Sequence, residues 1–410
     1  MTRLPPALMP LWPAAKRAHR AATRWGGAVG RRLPEHERAV PHDAPATSAL
    51  TAAAEPDAVV VHTVGPATHV ERDVPVGTPG GLRFWDEVRR LDRPDRHVVE
   101  VRGGRLVGES AATITPGGRL DLDTSHYFGT RHWHEHPVFL RPRLPRTEPV
   151  RGTVLSLASH ASARNYYHSL MDALPRWGLF REAFPDLTPD RVVVGHTTRW
   201  DRQLVAMVGL ADLPLVEPTA GLALQAERLL VPAVDNQSTL APPWVTRWLR
   251  ENLRPERTSG RPRRLYVSRG DRPNTRRYLQ ERELLAALEP QGFVAIDPGT
   301  LTVQEQIDHF AAAEVVVAPH GAGLVNLNFA PEGVRVLELF APTYLNPGYW
   351  AITDNVPGSV YRYLVADPVD PQRPERRMTG VQDDVDLDPA RVLEALDDLL
   401  AASPPARSHP

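Results

Sequence analysis

The stretch EVVVAPHGAGLVNLNF, residues 314–329, constrains the fold more than any other part of this chain. An apolar, β-branched strand runs straight into His320-Gly321-Ala322-Gly323, and a helix-like segment follows. Strand, small-residue turn and helix in that order belong to an open α/β sheet, where ligands collect at the carboxyl ends of strands. Small residues there let the backbone approach a phosphate, and the helix N-terminus favours negative charge. A tight turn in which the glycines serve only packing is the bland alternative. His320 favours the ligand reading, since a polar ring at the mouth of such a turn has no packing role and can donate a hydrogen bond to phosphate.

The surrounding pattern extends this reading. RRLYVSR, FVAID, EVVVAP and RVLELF read as strands, with helices ERELLAAL and TVQEQIDHFAAA between them, so residues 258–370 are expected to form a Rossmann-like domain. A polar break at residues 251–262 is taken as the domain boundary. Upstream, TVLSLAS, RVVVGH and LLVPAV alternate with NYYHSLMDAL, RWDRQLVAMVGL and PPWVTRWLRENL. This implies a second parallel sheet covered by helices, with Pro175 ending or kinking the first of them. Residues 58–149 show short β-type runs with Gly and Pro turns, so residues 58–250 are expected to be β-rich at first and then α/β. Residues 1–57 read as a disordered tail and linker, and residues 371–410 as a linker and a closing helix, LDPARVLEALDDLLAAS. The fold class is α/β, with two Rossmann-like domains facing a cleft and a β-rich N-terminal extension.

A length of 410 residues agrees with two domains. A net charge of −1 gives no pull toward nucleic acid, so no nucleic-acid partner is expected and any anion site must be local. With no cysteine, disulfides and thiolate chemistry are excluded. No run approaches the roughly 18 apolar residues of a membrane span. The first 40 residues nevertheless hold eight cationic residues against Glu35 and Glu37, together with Trp12 and Trp25. A peripheral contact of this basic arm with anionic lipid is one expectation, and a solvated tail the other.

Several side chains are candidates for chemistry. Arg269 follows a strand, and Arg272, Arg276 and Arg277 precede a helix; guanidinium groups pair bidentately with phosphate oxygens. Glu338 lies near the end of the next strand, where a carboxylate can accept from ribose hydroxyls. In the first α/β region Arg164, Asn165, His168 and Asp172 fall within one helical stretch, the last three at i, i+3 and i+7 on one face. His168 or Asp172 is the candidate general base for an acceptor hydroxyl. His132, His134 and His136 are spaced for one face of a strand, where three imidazoles could hold zinc, but an exposed edge strand explains them better. Asp121-Leu-Asp123 follows a hairpin turn and reads as turn chemistry.

Three blocks, NYYHSLMDALPR, YVSR followed by RRYLQERELL, and EQIDHFAAAEVVVAPHGAGLVNLNF with VLEL behind it, resemble glycosyltransferase family 61 over about residues 155–345. The resemblance implies a GT-B-like fold and an inverting, metal-independent transfer from a UDP-sugar to a hydroxyl acceptor, without a cofactor beyond the donor itself. It places Arg269 and Arg277 at the donor phosphates, and His320, Gly321, Ala322, Gly323 and Asn326 around the diphosphate. Glu338 would take the ribose, and Arg164 and Asn165 the acceptor, a glycan or lipid-linked saccharide. It further implies a role in surface polysaccharide or glycan biosynthesis, in the cytoplasm or at the inner face of the membrane. The alternatives are a GT-B-like sugar-nucleotide epimerase and a non-catalytic polysaccharide-assembly protein.

Overall fold

The computed structural model describes residues 12–30, 39–128, 130, 132–140, 143–233, 235–236, 239–270, 276–366 and 383–404. The chain divides into two units, residues 1–67 with 94–237 and residues 68–93 with 238–410. The first unit opens with helices α1 (Trp12–Gly30) and α2 (Ser48–Ala54) and strand β1 (Val59–Gly65). The chain then leaves it to give β2 (Thr68–Glu71), β3 (Val76–Thr78), α3 (Arg83–Val88) and β4 (Arg90–Arg93) to the second unit. Back in the first unit come β5 (Arg96–Arg102), β6 (Arg105–Val107), β7 (Ala112–Ile114) and β8 (Glu148–Ser156). A short α4 (Tyr166–His168), a π-turn over Ser169–Ala173 and α5 (Leu174–Ala183) follow, then β9 (Arg191–Val193), α6 (Arg199–Met207), β10 (Leu215–Val216) and β11 (Ala223–Pro232). The second unit resumes with α7 (Pro243–Asn252), β12 (Arg264–Val267), α8 (Glu281–Leu288), β13 (Phe293–Ile296), α9 (Val303–Ala312) and β14 (Val315–Pro319). After a 3-10 helix over Ala322–Phe329 it ends with β15 (Arg335–Phe340), α10 (Gly348–Asp354), β16 (Val360–Val365) and α11 (Pro389–Ala401).

The first unit is built on one mixed sheet in the order β1-β5-β11-β8-β9-β10, with β6 and β7 attached beside β11. Strand β11 pairs in parallel with β8 and antiparallel with β5 and β6. The expected β-rich extension is therefore no separate layer. At ten residues β11 is long enough to take both kinds of partner, and strand periodicity carries no information about pairing. The reading of residues up to 57 as tail and linker is also corrected for the described part. Thr47 caps α2 by accepting the Leu50 N–H, Ser48 and Thr51 are buried, and Val40 and Ala44 join a core with Ile114, Leu120 and Phe139. Asp121 Oδ1 accepts from Ser48 Oγ at 3.0 Å and from Thr124 Oγ1 at 2.7 Å, a turn that locks the start of α2. The His132–His136 stretch is a 3-10 turn over Trp133–Glu135 and not a strand.

The second unit has six strands, all parallel, in the order β13-β12-β14-β15-β16-β3. Helices α8 and α11 cover one face through Leu284, Leu288, Val392, Leu396 and Leu399. The closing helix is tied down where Arg335 Nη1 donates to the carbonyls of Leu399 at 2.7 Å and Ala402 at 2.8 Å. The division between units falls ahead of α7, not at residues 251–262. Thr246 on α7 donates to Asn328 Oδ1 at 2.8 Å, and Arg250 donates to the carbonyls of Asn328 and Ala330, so this helix belongs to the second unit despite the polar segment after it. Among the described residues no helix is long and apolar enough to cross a membrane.

Candidate functional site

Strands β12 and β14 lie side by side, yet the chain leaves them in opposite directions: β12 leads outward to β13, and β14 leads the other way to β15. Where strand order reverses, the connecting segments part and a crevice opens beyond the carboxyl ends. Arg269 follows β12 at this point, and His320 follows β14. Gly321 has φ −172°, extended backbone that any residue adopts, so its need for glycine is spatial. A Cβ there would lie 2.9 Å from Arg269 Cδ and 3.0 Å from its Cζ. A Cβ on Gly323 would lie 2.7 Å from Pro298 Cγ, so the second glycine seats the turn on the segment after β13. The segment that follows is a 3-10 helix with Leu324 to Phe329 all buried. Asn326 and Asn328 each donate to a carbonyl three residues back, which suits that tighter helix.

His320 is enclosed by aromatic rings. It stacks on Phe340 with centroids 5.3 Å apart and meets Tyr344 at 5.1 Å and Tyr349 at 4.8 Å. Its Nδ1 is hydrogen-bonded to Glu338 Oε1, and Tyr361 donates its hydroxyl to Glu338 Oε2 at 2.6 Å. Burial pushes the Glu338 carboxyl well above the usual range. It pushes the His320 imidazole well below its own, and the nearby Arg276 and Arg269 guanidinium groups add to that second effect. Both groups are thereby driven to their neutral forms. A protonated Glu338 donates to Nδ1, which assigns the imidazole hydrogen to Nε2. Arg276 packs its guanidinium 5.0 Å from the Tyr344 ring centre, and its backbone sits at φ 61°, a conformation disfavoured for a non-glycine residue.

In the first unit, β8 and β11 are parallel neighbours, so their carboxyl ends lie at the same edge of the sheet. Asn165 caps the helix that follows β8, its side chain accepting the Tyr167 N–H at 3.0 Å. Pro175 does not end this helix. Its ring would crowd the carbonyl four residues back, and the chain accommodates it by widening into the π-turn before continuing through α5. Within that wider turn Asp172 Oδ2 meets His168 Nδ1 at 2.7 Å. Asn236, just beyond β11, donates Nδ2 to Asp172 Oδ1 at 2.9 Å and to Tyr167 Oη at 3.0 Å. Arg176 is fully buried and bridges the carbonyls of Ala158 and Pro232, joining the ends of β8 and β11. Burial pushes its pKa down to about 9, against the opposing pull of the Asp172 charge. The Phe128 ring lies 5.0 Å from the His168 ring, centre to centre. A carboxylate holding Nδ1–H leaves Nε2 as a proton acceptor, the geometry of a general base with its orienting group.

The structure gives other work to several of the expected ligands. Glu338 is fully buried with both oxygens engaged, so it orients His320 and does not reach a ribose. Asn326 is buried and donates to Gln306 and the Gly323 carbonyl, holding the turn from within. Arg277 turns to Asp384, and Arg276 is the one beside His320. Arg272 lies outside the described residues. Arg164 pairs with Glu109, and Asn165 is a helix cap. Sequence reasoning missed Asn236, Arg176 and Tyr361. Only a polar residue just after an apolar strand, Asn236 behind LLVP, left a trace of its position.

Residues 166–337 match the family model described as Glycosyltransferase 61. That span begins two residues before His168 and ends one residue before Glu338, so it takes in the His168–Asp172 pair, Arg269 and the glycine turn. No curated protein matches the chain. Over this span, which is less than half of its length, the chain is similar to glycosyltransferase family 61.

Proposed function

We propose that the protein transfers a sugar from a UDP-sugar to a hydroxyl group of a glycan or lipid-linked saccharide, with inversion and without an obligatory metal. The second unit binds the donor. Arg269, Arg276 and the Nε2–H of His320 supply positive and polar groups for the diphosphate, beside the N-terminus of the 3-10 helix at Gly321–Gly323. As the glycosidic bond to the β-phosphate oxygen breaks, the electron pair goes to that oxygen, and these donors stabilise the charge that a metal would otherwise meet. The acceptor oxygen attacks the anomeric carbon from the opposite face, which inverts it, and its proton passes to a base, for which His168 Nε2 is the candidate. Asp172 holds the imidazole and balances the charge it gains.

The placement of Arg269 against Gly321 beside a neutral His320, where the parallel sheet reverses its order, supports this reading most strongly. The test is calorimetric titration of UDP, with and without a chelator, into wild type and Arg269→Ala. Binding that survives chelation and drops in the variant is expected, and equal binding by both proteins overturns the donor site. A sugar nucleotide isomerised in the absence of any acceptor would favour an epimerase instead. The His168–Asp172 pair, an acceptor-side base, favours transfer.

A further inference from the structure

Helix α1 carries its apolar face on the outside. At 100° per residue, Ala14, Ala18, Ala21, Ala22, Trp25 and Val29 share one side, and all six are exposed. Trp25 is 73% exposed and Val29 41%. An amphipathic surface helix of a globular protein ordinarily turns such a face to the core. Here the helix is held by another side. Arg24 Nη2 bonds Glu135 Oε1 at 3.0 Å, and Gly26 approaches the Phe139 carbonyl so closely that a Cβ would lie 3.0 Å from it. Exposed Arg17 and Arg24 run along one edge of the apolar face. In sequence the helix contains Lys16, Arg17, Arg20 and Arg24 and no acidic residue.

We propose that α1 is a docking surface for an anionic lipid bilayer, with Trp25 and Val29 entering the headgroup boundary and Arg17 meeting a lipid phosphate. The charge decides between occupants. A second copy seated on the same face would bring two helices without a single carboxylate together, and their cations would repel. An anionic bilayer offers the opposite sign, and its interface is where an indole with an apolar body and a polar N–H is most stable.

The experiment is sedimentation of the full chain with vesicles of phosphatidylcholine alone, and with vesicles in which about a third of the lipid is phosphatidylglycerol. Binding to the anionic vesicles only is expected, weakening as salt rises. Trp25→Glu should reduce it by about tenfold or more, and Arg17→Ala by a smaller factor. Both side chains are exposed, so both variants should keep the wild-type thermal midpoint. Absence of binding to anionic vesicles, equal binding by the Trp25 variant, or a Trp25-dependent dimer in lipid-free sedimentation velocity would each overturn the proposal.

Discussion

The guanidinium of Arg269 lies against the α-carbon of Gly321, in the space a side chain would fill. The glycine matters because its absent Cβ leaves room for a cation. Gly321→Ala should therefore displace Arg269 and weaken UDP binding by about 10- to 100-fold, the worth of one charge-assisted hydrogen bond pair, with little change in thermal stability. Unaltered affinity in a calorimetric titration would show that Arg269 does not bind the donor.

Glu338 bonds His320 and Tyr361 while held neutral by burial, so an amide should replace it well. In Glu338→Gln the amide can donate to Nδ1 and accept from Tyr361, and both stability and UDP affinity should stay close to wild type. Glu338→Leu leaves the Tyr361 hydroxyl and His320 Nδ1 unsatisfied and should cost about 1–3 kcal/mol in urea unfolding. Equal damage from the two substitutions would mean that the native carboxyl is ionised.

His168 and Asp172 are expected to act on turnover and not on donor binding. Asp172→Asn should lower kcat by about 10²- to 10⁴-fold, since the amide can no longer hold Nδ1–H as a carboxylate does. Asn236→Ala, which frees one oxygen of Asp172, should give a smaller loss with UDP affinity kept. If Asp172→Asn and His168→Ala both retained wild-type turnover, the base would have to be another residue.

Acid should destabilise the first unit. Burial, reinforced by neighbouring histidines, pushes the His136 pKa down to about 3 and that of His160 to about 4. An unfolded histidine takes its proton near pH 6.5, whereas these two stay neutral in the fold. Their stabilisation is thus complete above pH 6.5 and declines as pH falls toward 4 and then 3, at up to about 1.4 kcal/mol per pH unit for each ring. Asp121 and Asp201 in the same unit, whose carboxyl pKa values burial pushes up, contribute in the opposite sense as pH falls, so the informative quantity is a difference. His136 Nδ1 accepts the Val138 N–H at 3.2 Å, a role the oxygen of an asparagine can take over. His136→Asn should flatten the acid limb of urea stability between pH 6.5 and 4 relative to wild type, and an unchanged slope would contradict the burial argument.

The glycine turn was legible because its signals are local: an apolar run, small residues at the turn, and a helix-like pattern behind them. The His168–Asp172 pair was legible for the same reason, four residues apart on one helix. What escaped depends on distant partners. Glu338 looks like a charge at a strand end, but β16 and β3 extend the sheet past it and seal it from water. Arg276 and Arg277 are adjacent in an irregular stretch, and the positive φ at Arg276 sends one toward His320 while the other meets Asp384. Arg164 finds Glu109, 55 positions away, and no periodicity announces such a pair. The mixed character of the first sheet was equally hidden, since antiparallel and parallel partners of β11 leave the same alternation in its own sequence.

The excursion of residues 68–93 into the second unit ties the order of synthesis to the order of folding. Strand β3 lies beside β16, and the Tyr363 hydroxyl donates to the Pro79 carbonyl 284 positions earlier. On the ribosome the edge strand emerges long before the strand it must pair with, and it waits without a hydrogen-bonding partner while most of the chain is still being translated. The gene therefore has no single cut that yields two self-sufficient halves. A fragment starting at residue 238 lacks its outermost strand, and one stopping at 237 carries that strand with nothing to dock on. Moving residues 68–93 onto the second half through a linker, and closing the gap in the first half from 67 to 94, is the rearrangement under which the two units become separately expressible.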